Sequence, residues 1–334
     1  MGQRGTHCMS VIELYPLLTQ ARYVEPIWGG PQLARWLHLP EAEQSKLGEI
    51  WQVYDQNLIV NGALAGQSLA QVTSQFGAAL VGTTTSERYG NDFPLLLKFI
   101  AAAQPLSVQV HPDDEYAHSR EAASGFHGKT EAWYILEAEN GAEVVHGFRE
   151  ATNRQACEAA LATNTLPELL RQVAVQAGDL VFVPAKTIHA INPGVVLFEI
   201  QQKSDLTYRV YDYDRRDAAT GLPRQLHLEQ AFEVLDFAAT APALVTPTKL
   251  NADVSLLVRC PFFSLEHWQL NRIQALSTSV TSFDCWTVIN GACSLVWGAG
   301  SLDLSHGMSV IVPAQLGQYQ LYPEPSAELL RAYV

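Results

Sequence analysis

The chain repeats one short motif, and this repeat constrains the fold more than any other feature. Residues 178–185 read Gly-Asp-Leu-Val-Phe-Val-Pro-Ala, and residues 307–314 read Gly-Met-Ser-Val-Ile-Val-Pro-Ala. The tripeptide Asn-Gly-Ala precedes the motif both times, at 140–142 and at 290–292. Short apolar segments bounded by Gly and Pro, at repeated spacing, are typical of all-β barrels. The repeat therefore predicts two related β-barrels in a mainly β chain.

Helices are expected as insertions between the strands. The gap between the two parts of the repeat is longer in the first copy, and the surplus is about the length of the helix-patterned segment 152–171. A second helical insertion is expected at 221–239, and the Pro- and Ala-rich residues 240–248 make the best linker. We therefore expect a first barrel with its N-terminal segment over 11–239 and a second barrel over 249–334.

A set of polar side chains in the first copy has the chemistry of a metal site. Strand alternation puts Ser107, Gln109 and His111 on one face of a strand. Glu131 opens the next apolar strand, and His189 follows the Gly–strand–Pro unit. Two imidazoles and a carboxylate suit Zn, Fe, Mn or Ni, and the pattern alone does not choose among them. We predict that His111, Glu131 and His189, helped by the amide of Gln109, hold one divalent metal.

The two copies of the repeat differ at one of these candidate ligands. His189 lies eleven residues after Gly178, whereas Gln318 lies eleven residues after Gly307. The second copy keeps the scaffold but lacks the imidazole, so we expect one metal-binding barrel and one metal-free barrel. The alternative, that these His and Glu residues are ordinary core or surface residues, does not explain why the repeat differs at the histidine.

The composition excludes several classes of function. The 334 residues are 48% hydrophobic and 16% charged, and the formal net charge of −13 argues against nucleic acid or an anionic membrane as the main partner. The five cysteines are odd in number and lack CxxC spacing, which is typical of reduced thiols. No apolar run approaches the ~20 residues that span a membrane, and Met1–Ser10 lacks the apolar core of a signal peptide. We therefore expect a cytoplasmic protein.

The few basic residues near the candidate ligands are informative. Lys98 lies inside an apolar run, and a buried lysine without a partner is costly, so it either reaches the rim or pairs with an anion. Lys129 lies close to the candidate ligands in sequence. Glu199 and Arg209 follow the His189 loop; one interpretation is a structural ion pair, and the other is an arginine suited to bidentate contact with phosphate.

Four stretches are long enough to carry a family resemblance. They read QVHPDDEYA at 109–117, GKTEAWYILEAENGA at 128–142, AGDLVFVPAKTIHAINPG at 177–194 and SDLTYRVYDYDR at 204–215. With IWGG at 27–30 and LAGQSLA at 64–70, they occur in the same order as in the family over nearly the whole chain. In these motifs the chain resembles the bacterial type I mannose-6-phosphate isomerases.

The resemblance implies two cupin, or jelly-roll, barrels and an enzyme that interconverts mannose 6-phosphate and fructose 6-phosphate with one Zn²⁺ per chain. The zinc ligands of the family match Gln109, His111, Glu131 and His189. Its catalytic arginine matches Arg209, and its pocket residues match Ser107, Lys98, Lys129 and Glu199. Lys186 departs from the general cupin pattern, which has Gly there.

The expected chemistry is an aldose–ketose exchange through an enediol, stabilised by a divalent cation. Glu199 is the first candidate for the base, with metal-bound water or a lysine as rivals. Arg209 is assigned to the phosphate or to the enediolate charge, whereas Lys98, Lys129 and Ser107 orient the substrate. The partner expected is therefore a small phosphorylated hexose.

Two other functions fit part of the pattern. A non-catalytic cupin could bind a sugar phosphate, and a cupin oxygenase could use the same ligands around Fe(II). The three basic residues favour a phosphorylated substrate over the oxygenase. The sequence leaves open the oligomeric state, the physiological metal and the breadth of substrates.

Overall fold

The protein is described by a computed structural model that covers residues 13–216, 220–238 and 242–334. Its strands are β1 (Leu17–Leu18), β2 (Arg22–Val24), β3 (Glu49–Val53), β4 (Leu95–Ala101), β5 (Val108–Val110), β6 (Glu131–Ala138), β7 (Glu143–Phe148), β8 (Leu170–Ala174), β9 (Leu180–Val183), β10 (His189–Ile191), β11 (Val195–Gln202), β12 (Tyr208–Tyr211), β13 (Thr248–Lys249), β14 (Val254–Arg259), β15 (Ser264–Leu270), β16 (Gln274–Ser277), β17 (Asp284–Trp297), β18 (Gly300–Ser305), β19 (Ser309–Val312) and β20 (Gln318–Tyr333). Its helices are α1 (Gln32–Trp36), α2 (Leu69–Phe76), α3 (Ala78–Val81), α4 (Thr83–Tyr89), α5 (Asp114–Arg120), α6 (Arg154–Ala162), α7 (Leu166–Leu169) and α8 (Leu228–Val234). The predicted mainly β fold class is confirmed.

The first barrel consists of two antiparallel sheets. One has the strand order β2-β3-β4-β11-β6-β9, and the other has the order β12-β5-β10-β7-β8. Alternation along β4 and β11 decides which side chains enter the barrel. Phe99 opposes Phe198 and both pack into the core shared with the second barrel, so the next pair, Lys98 opposite Glu199, faces the barrel interior.

Helices cover the outer face of the five-stranded sheet. Val108 and Val110 of β5 pack in one apolar cluster with Cys157 of α6, Leu166 of α7 and Phe232 of α8. Helices α6 and α7 lie within the expected insertion at 152–171, and α8 lies within 221–239, whose last residue is outside the described ranges. Burying this face fixes β5 and β10, the strands that lead to the two candidate histidines.

The second barrel is one antiparallel sheet of nine strands, formed by β13–β20 together with β1. The long strands β17 and β20 pair along most of their length, and β17 also pairs with β19 at one end and with β18 at the other. Strand β1 joins the edge, with Leu17 opposite Ile311. The N-terminal segment therefore hydrogen-bonds to the second barrel, although it precedes the first barrel in sequence.

The two copies of the repeat occupy equivalent positions. Strand β9 of the first copy pairs with β6 so that Val183 opposes Glu131. Strand β19 of the second copy pairs with β17 so that Val312 opposes Asp284. Asp284 is therefore the counterpart in the second barrel of the candidate ligand Glu131.

The described ranges hold neither a disulfide nor a helix long and apolar enough to cross a membrane. Cys157, Cys260, Cys285 and Cys293 are free thiols. The fifth cysteine, Cys8, lies outside the described residues, as does the N-terminal stretch Met1–Ser10.

Candidate active site

Three buried side chains converge inside the first barrel. His111 follows β5, Glu131 begins β6, and His189 begins β10. His111 Nε2 lies 3.6 Å from Glu131 Oε2, and His189 Nε2 lies 3.3 Å from Glu131 Oε1. One possible ligand atom from each residue lies within 4.8 Å of the other two. This donor set fits a divalent transition metal such as zinc.

Backbone carbonyls orient both imidazoles. His111 Nδ1 lies 2.7 Å from the Leu206 oxygen, and His189 Nδ1 lies 2.8 Å from the Thr187 oxygen. Each Nδ1 therefore carries the proton that it donates, so each Nε2 has the acceptor lone pair that a metal would bind. Burial and the nearby ammonium of Lys129 lower the pKa of His189 to about 3 and move the pKa of His111 well below its usual value. Both rings are therefore neutral, as metal ligands must be.

The turn before His189 is tied to the end of strand β5. The Lys186 N–H donates to the His111 carbonyl oxygen at 2.8 Å, and the Lys186 ammonium pairs with Asp113. Lys186 has a φ of +73°, in the left-handed region that glycine adopts more easily. The expected glycine would adopt this φ more easily, so the lysine that departs from the general cupin pattern occupies a backbone conformation that is unfavourable for it.

Lys129 lies against the same cluster. Its Nζ is 2.5 Å from Glu131 Oε2 and 3.0 Å from His111 Nε2. Burial raises the pKa of Glu131 above its usual range, and the Lys129 ammonium offsets only part of that rise. An ammonium in this position can hold or exchange a proton at the oxygen of a bound substrate.

A row of buried charged groups extends from the cluster across the six-stranded sheet. The Trp133 indole N–H donates to Glu131 Oε1 and to Glu199 Oε1, both at 3.1 Å. Lys98 Nζ lies 3.6 Å from Glu199 Oε2 and 3.4 Å from Glu49 Oε2. Burial disfavours the charged form of Lys98, but the two carboxylates outweigh it and raise its pKa. Lys98 therefore pairs with anions, one of the two outcomes expected of a buried lysine.

The other candidate residues lie on the five-stranded sheet. Arg209 of β12 opposes Gln109 of β5, which opposes His189 of β10. Gln109 Nε2 lies 3.4 Å from His189 Nε2. Arg209 Nε donates to Ser107 Oγ at 3.3 Å, and Nη1 donates to the Gln225 carbonyl at 2.8 Å. Among the described residues, Arg209 and Glu199 form no ion pair with each other, contrary to one of the two interpretations of these residues.

One cavity of about 350 Å³ brings these groups together, a size suited to a small ligand. Eight of the nine predicted site residues line it: Lys98, Ser107, Gln109, Lys129, Glu131, His189, Glu199 and Arg209. The ninth, His111, does not line the cavity itself but contacts Lys129 and Glu131, which do. Apolar lining comes from Trp28, Trp51, Ile100, Leu106 and Ile191.

Several lining residues are absent from the sequence prediction. Trp133 stands two residues after Glu131, so strand alternation could have put it on the same face. Glu49 begins β3, and a lone acidic residue there has no distinguishing pattern. Arg224 lies in the loop before α8, outside the motif stretches, and only the tertiary structure brings it to the cavity.

The second barrel repeats the arrangement with reversed charges. Trp133, Glu199 and Lys98 oppose one another on β6, β11 and β4 of the first barrel. Trp286, Arg331 and Glu266 oppose one another on β17, β20 and β15 of the second barrel. A Glu–Lys pair in one barrel is thus an Arg–Glu pair in the other.

Because of this reversal, an arginine pairs with Asp284, the counterpart of Glu131 in the second barrel. Arg331 Nη2 lies 2.7 Å from Asp284 Oδ1, and the Tyr319 hydroxyl donates to Asp284 Oδ2 at 2.6 Å. Among the described residues, no second group of three His, Cys, Asp or Glu side chains comes together as His111, Glu131 and His189 do. The buried carboxylate of the second barrel is therefore paired with an arginine.

Two family models match the chain. Residues 17–147 match the catalytic domain of type I phosphomannose isomerase, and residues 253–334 match the cupin domain of mannose-6-phosphate isomerase. The two matches correspond to parts of the first and second barrels.

Individual relatives match over most of their length. Mannose-6-phosphate isomerase ManA of Bacillus subtilis is 34% identical over 312 residues, which are 92% of this chain and 95% of the relative. The enzyme of Streptococcus mutans is 33% identical over 316 residues, covering 91% and 94%. A crystal structure of the Bacillus subtilis mannose 6-phosphate isomerase superposes with a TM-score of 0.83 at 28% identity, covering 96% of this chain and 99% of that one. A zinc-bound mannose 6-phosphate isomerase shares the fold, with a TM-score of 0.73 at 18% identity over 95% and 99%. The chain therefore belongs to the type I mannose-6-phosphate isomerase family.

Proposed function

We propose that this chain is an aldose–ketose isomerase that interconverts mannose 6-phosphate and fructose 6-phosphate. The observation that carries the proposal is the single cavity in which a His–Glu–His cluster, a paired carboxylate at Glu199 and an arginine at Arg209 meet. These groups match the needs of the reaction, which are a cation for an oxyanion, a base for a carbon-bound proton and a site for a phosphate.

We propose one Zn²⁺ per chain, held by His111, Glu131 and His189 with Gln109 as the fourth ligand. The chemistry of the donor set supports this, since two neutral imidazoles and a carboxylate suit zinc. The amide of Gln109 lies beside His189 Nε2, and a half-turn about its last bond would present Oε1 there. When bound, the metal would supply Lewis-acid stabilisation of negative charge on the substrate oxygens.

Glu199 is the proposed general base. Its Oε1 accepts from Trp133, and its Oε2 makes no hydrogen bond within the described ranges. Although burial opposes ionisation, nearby lysine ammoniums and the indole N–H outweigh it and lower the pKa of Glu199. An ionised carboxylate with a free lone pair can take the proton from C2 of the aldose and return it to C1.

The remaining polar residues would hold the substrate. Lys129 would exchange the proton that moves between the O1 and O2 oxygens, because its ammonium already contacts Glu131 and His111. Lys98 keeps Glu199 ionised and oriented, and Ser107 orients Arg209 through its hydroxyl. Arg209 would bind an anionic group of the substrate.

A cytoplasmic location is part of the proposal. The free thiols of the described ranges support it, since a reducing compartment keeps cysteines unpaired. The expected partner is a phosphorylated hexose, which the same cavity would bind in both directions of the reaction.

A coupled assay on purified protein, with elemental analysis of the same sample, tests this function. The wild type should form fructose 6-phosphate from mannose 6-phosphate and contain one zinc per chain. His111→Ala and His189→Ala should lose metal and turnover together, whereas His118→Ala, an exposed histidine on α5, should keep both. Absence of isomerisation by metal-loaded wild type, or normal turnover by a metal-free variant, would refute the proposal.

A further inference from the structure

A second arginine lies at the Arg209 end of the cavity. Arg224 lines the same cavity as Arg209. Its Nε lies 2.8 Å from Asp212 Oδ2, and its Nη2 lies 2.5 Å from Asp212 Oδ1. Arg215 Nη2 also lies 2.5 Å from Asp212 Oδ1, although Arg215 does not line this cavity. Two guanidinium groups, those of Arg224 and Arg215, therefore share the buried carboxylate of Asp212.

The loop before α8 holds Arg224 near Arg209. The His227 N–H donates to the Arg209 carbonyl at 2.8 Å, and the Arg209 N–H donates to His227 Nδ1 at 3.2 Å. The Arg209 guanidinium donates to the Gln225 carbonyl. Residues 224–227 thus run alongside β12, and this pairing brings two positive side chains to one wall.

The electrostatics of this wall favour an anion. Among the described residues, no carboxylate contacts the Arg209 guanidinium. Burial and the charges of Arg224 and Arg215 lower the pKa of Arg209, and the Asp212 carboxylate offsets only part of this effect. Asp205 also lines the cavity, but its charge acts on Lys98, where it raises the pKa. A surplus of positive charge in a chain of net charge −13 therefore faces the cavity here.

We propose that Arg224, oriented by Asp212, joins Arg209 in binding the phosphate of the substrate. This inference rests on the proposed function. Asp212 accepts hydrogen bonds from Nε and Nη2 of Arg224. Nη1 of Arg224 has no hydrogen-bond partner among the described residues, so it can donate to a ligand. Two guanidinium groups can make several charge-assisted bonds to a phosphate.

The position along the sheet agrees with the shape of the substrate. Arg209 and His189 lie on strands separated by β5, so their backbones are about 10 Å apart. The phosphate of a hexose 6-phosphate is at the far end of the carbon chain from C1 and C2. A phosphate at the two arginines would therefore leave C1 and C2 near the His–Glu–His cluster.

Steady-state kinetics of Arg224→Met tests the inference. KM for mannose 6-phosphate should rise about 10- to 100-fold, the loss expected for hydrogen bonds to a charged group, whereas kcat should change little. The inhibition constant of inorganic phosphate should rise in parallel. Arg272→Met removes an arginine that pairs with Asp253 in the second barrel, so it controls for net charge and should leave both constants unchanged.

Two further measurements keep the outcomes distinct. Arg224→Lys keeps the charge but loses the forked set of donors of the guanidinium, so its KM should lie between those of wild type and Arg224→Met. It replaces Arg224→Met as the test variant if Arg224→Met fails to fold. Calorimetric titration with inorganic phosphate does not depend on turnover, so it tests Arg224 even if wild type proves inactive and the proposed function falls. Wild-type KM and phosphate affinity in both Arg224 variants would overturn the inference.

Discussion

Replacing Trp133 with Phe removes one hydrogen that serves two carboxylates. The indole N–H lies 3.1 Å from Glu131 Oε1 and 3.1 Å from Glu199 Oε1, and the side chain is buried. A hydrogen bond to a charged group contributes about 1.5–3 kcal/mol, and one hydrogen cannot serve both oxygens at full strength. We therefore expect a loss of about 2 kcal/mol in metal binding, which is roughly a 30-fold weaker affinity. This agrees with the 10- to 100-fold effects typical of residues that orient a metal ligand.

Zinc competition against a chromophoric chelator measures this affinity, and urea unfolding measures stability. Trp286→Phe is the matched control, because Trp286 occupies the equivalent position on β17 and its indole donates to the Tyr319 hydroxyl at 3.0 Å. Both variants should lose about 1–3 kcal/mol of stability from the smaller side chain and the lost bond. Only Trp133→Phe should bind zinc more weakly. Zinc affinity within twofold of wild type in Trp133→Phe would refute the role of the indole.

Two other perturbations separate structure from function. Arg209→Ala should lower kcat/KM by about 10²- to 10³-fold while zinc content stays at wild type, because the Arg209 side chain hydrogen-bonds to Ser107 and Gln225 and to none of the proposed metal ligands; loss of zinc or unfolding would instead mark Arg209 as structural. Asp212→Asn should destabilise the chain by about 1–3 kcal/mol at pH 7 in urea unfolding. Burial alone would raise the pKa of Asp212, but hydrogen bonds from Arg224 and Arg215 outweigh it and lower the pKa. The stabilisation is therefore present above the unfolded-state pKa of about 4 and is lost as the pH falls through the folded-state value, so the two proteins should converge in acid; a difference that does not shrink as the pH falls below about 4 would contradict this.

The repeat and the strand alternation were sufficient for the fold class. Two Gly–strand–Pro-Ala units predicted two barrels, and their strands β9 and β19 do lie at equivalent places in the structure. The loss of the histidine in the second copy predicts a metal-free second barrel, which stays a prediction. Both inferences depend on local pattern, which a single sequence displays directly.

Contacts between segments that are separated in sequence could not be predicted in the same way. The hydrogen-bonding of β1 to the second barrel joins Leu17 to Ile311, and no local pattern specifies that partner. Glu49 reaches Lys98 only because β3 and β4 are neighbours in the sheet. Arg224 reaches the cavity because the loop before α8 pairs with β12. The first two cases depend on which strands pair and in which register, and the third depends on the path of a loop; sequence periodicity determines neither.

The Arg331–Asp284 pair bears on how the two barrels would respond to loss of metal. Arg331 is part of the polypeptide, so Asp284 keeps its cationic partner at any concentration of free metal. The zinc proposed for His111, Glu131 and His189 would instead have to be supplied from solution. With zinc held as proposed, a chelator should therefore perturb the first barrel and leave the second barrel, with β1 attached to it, unchanged.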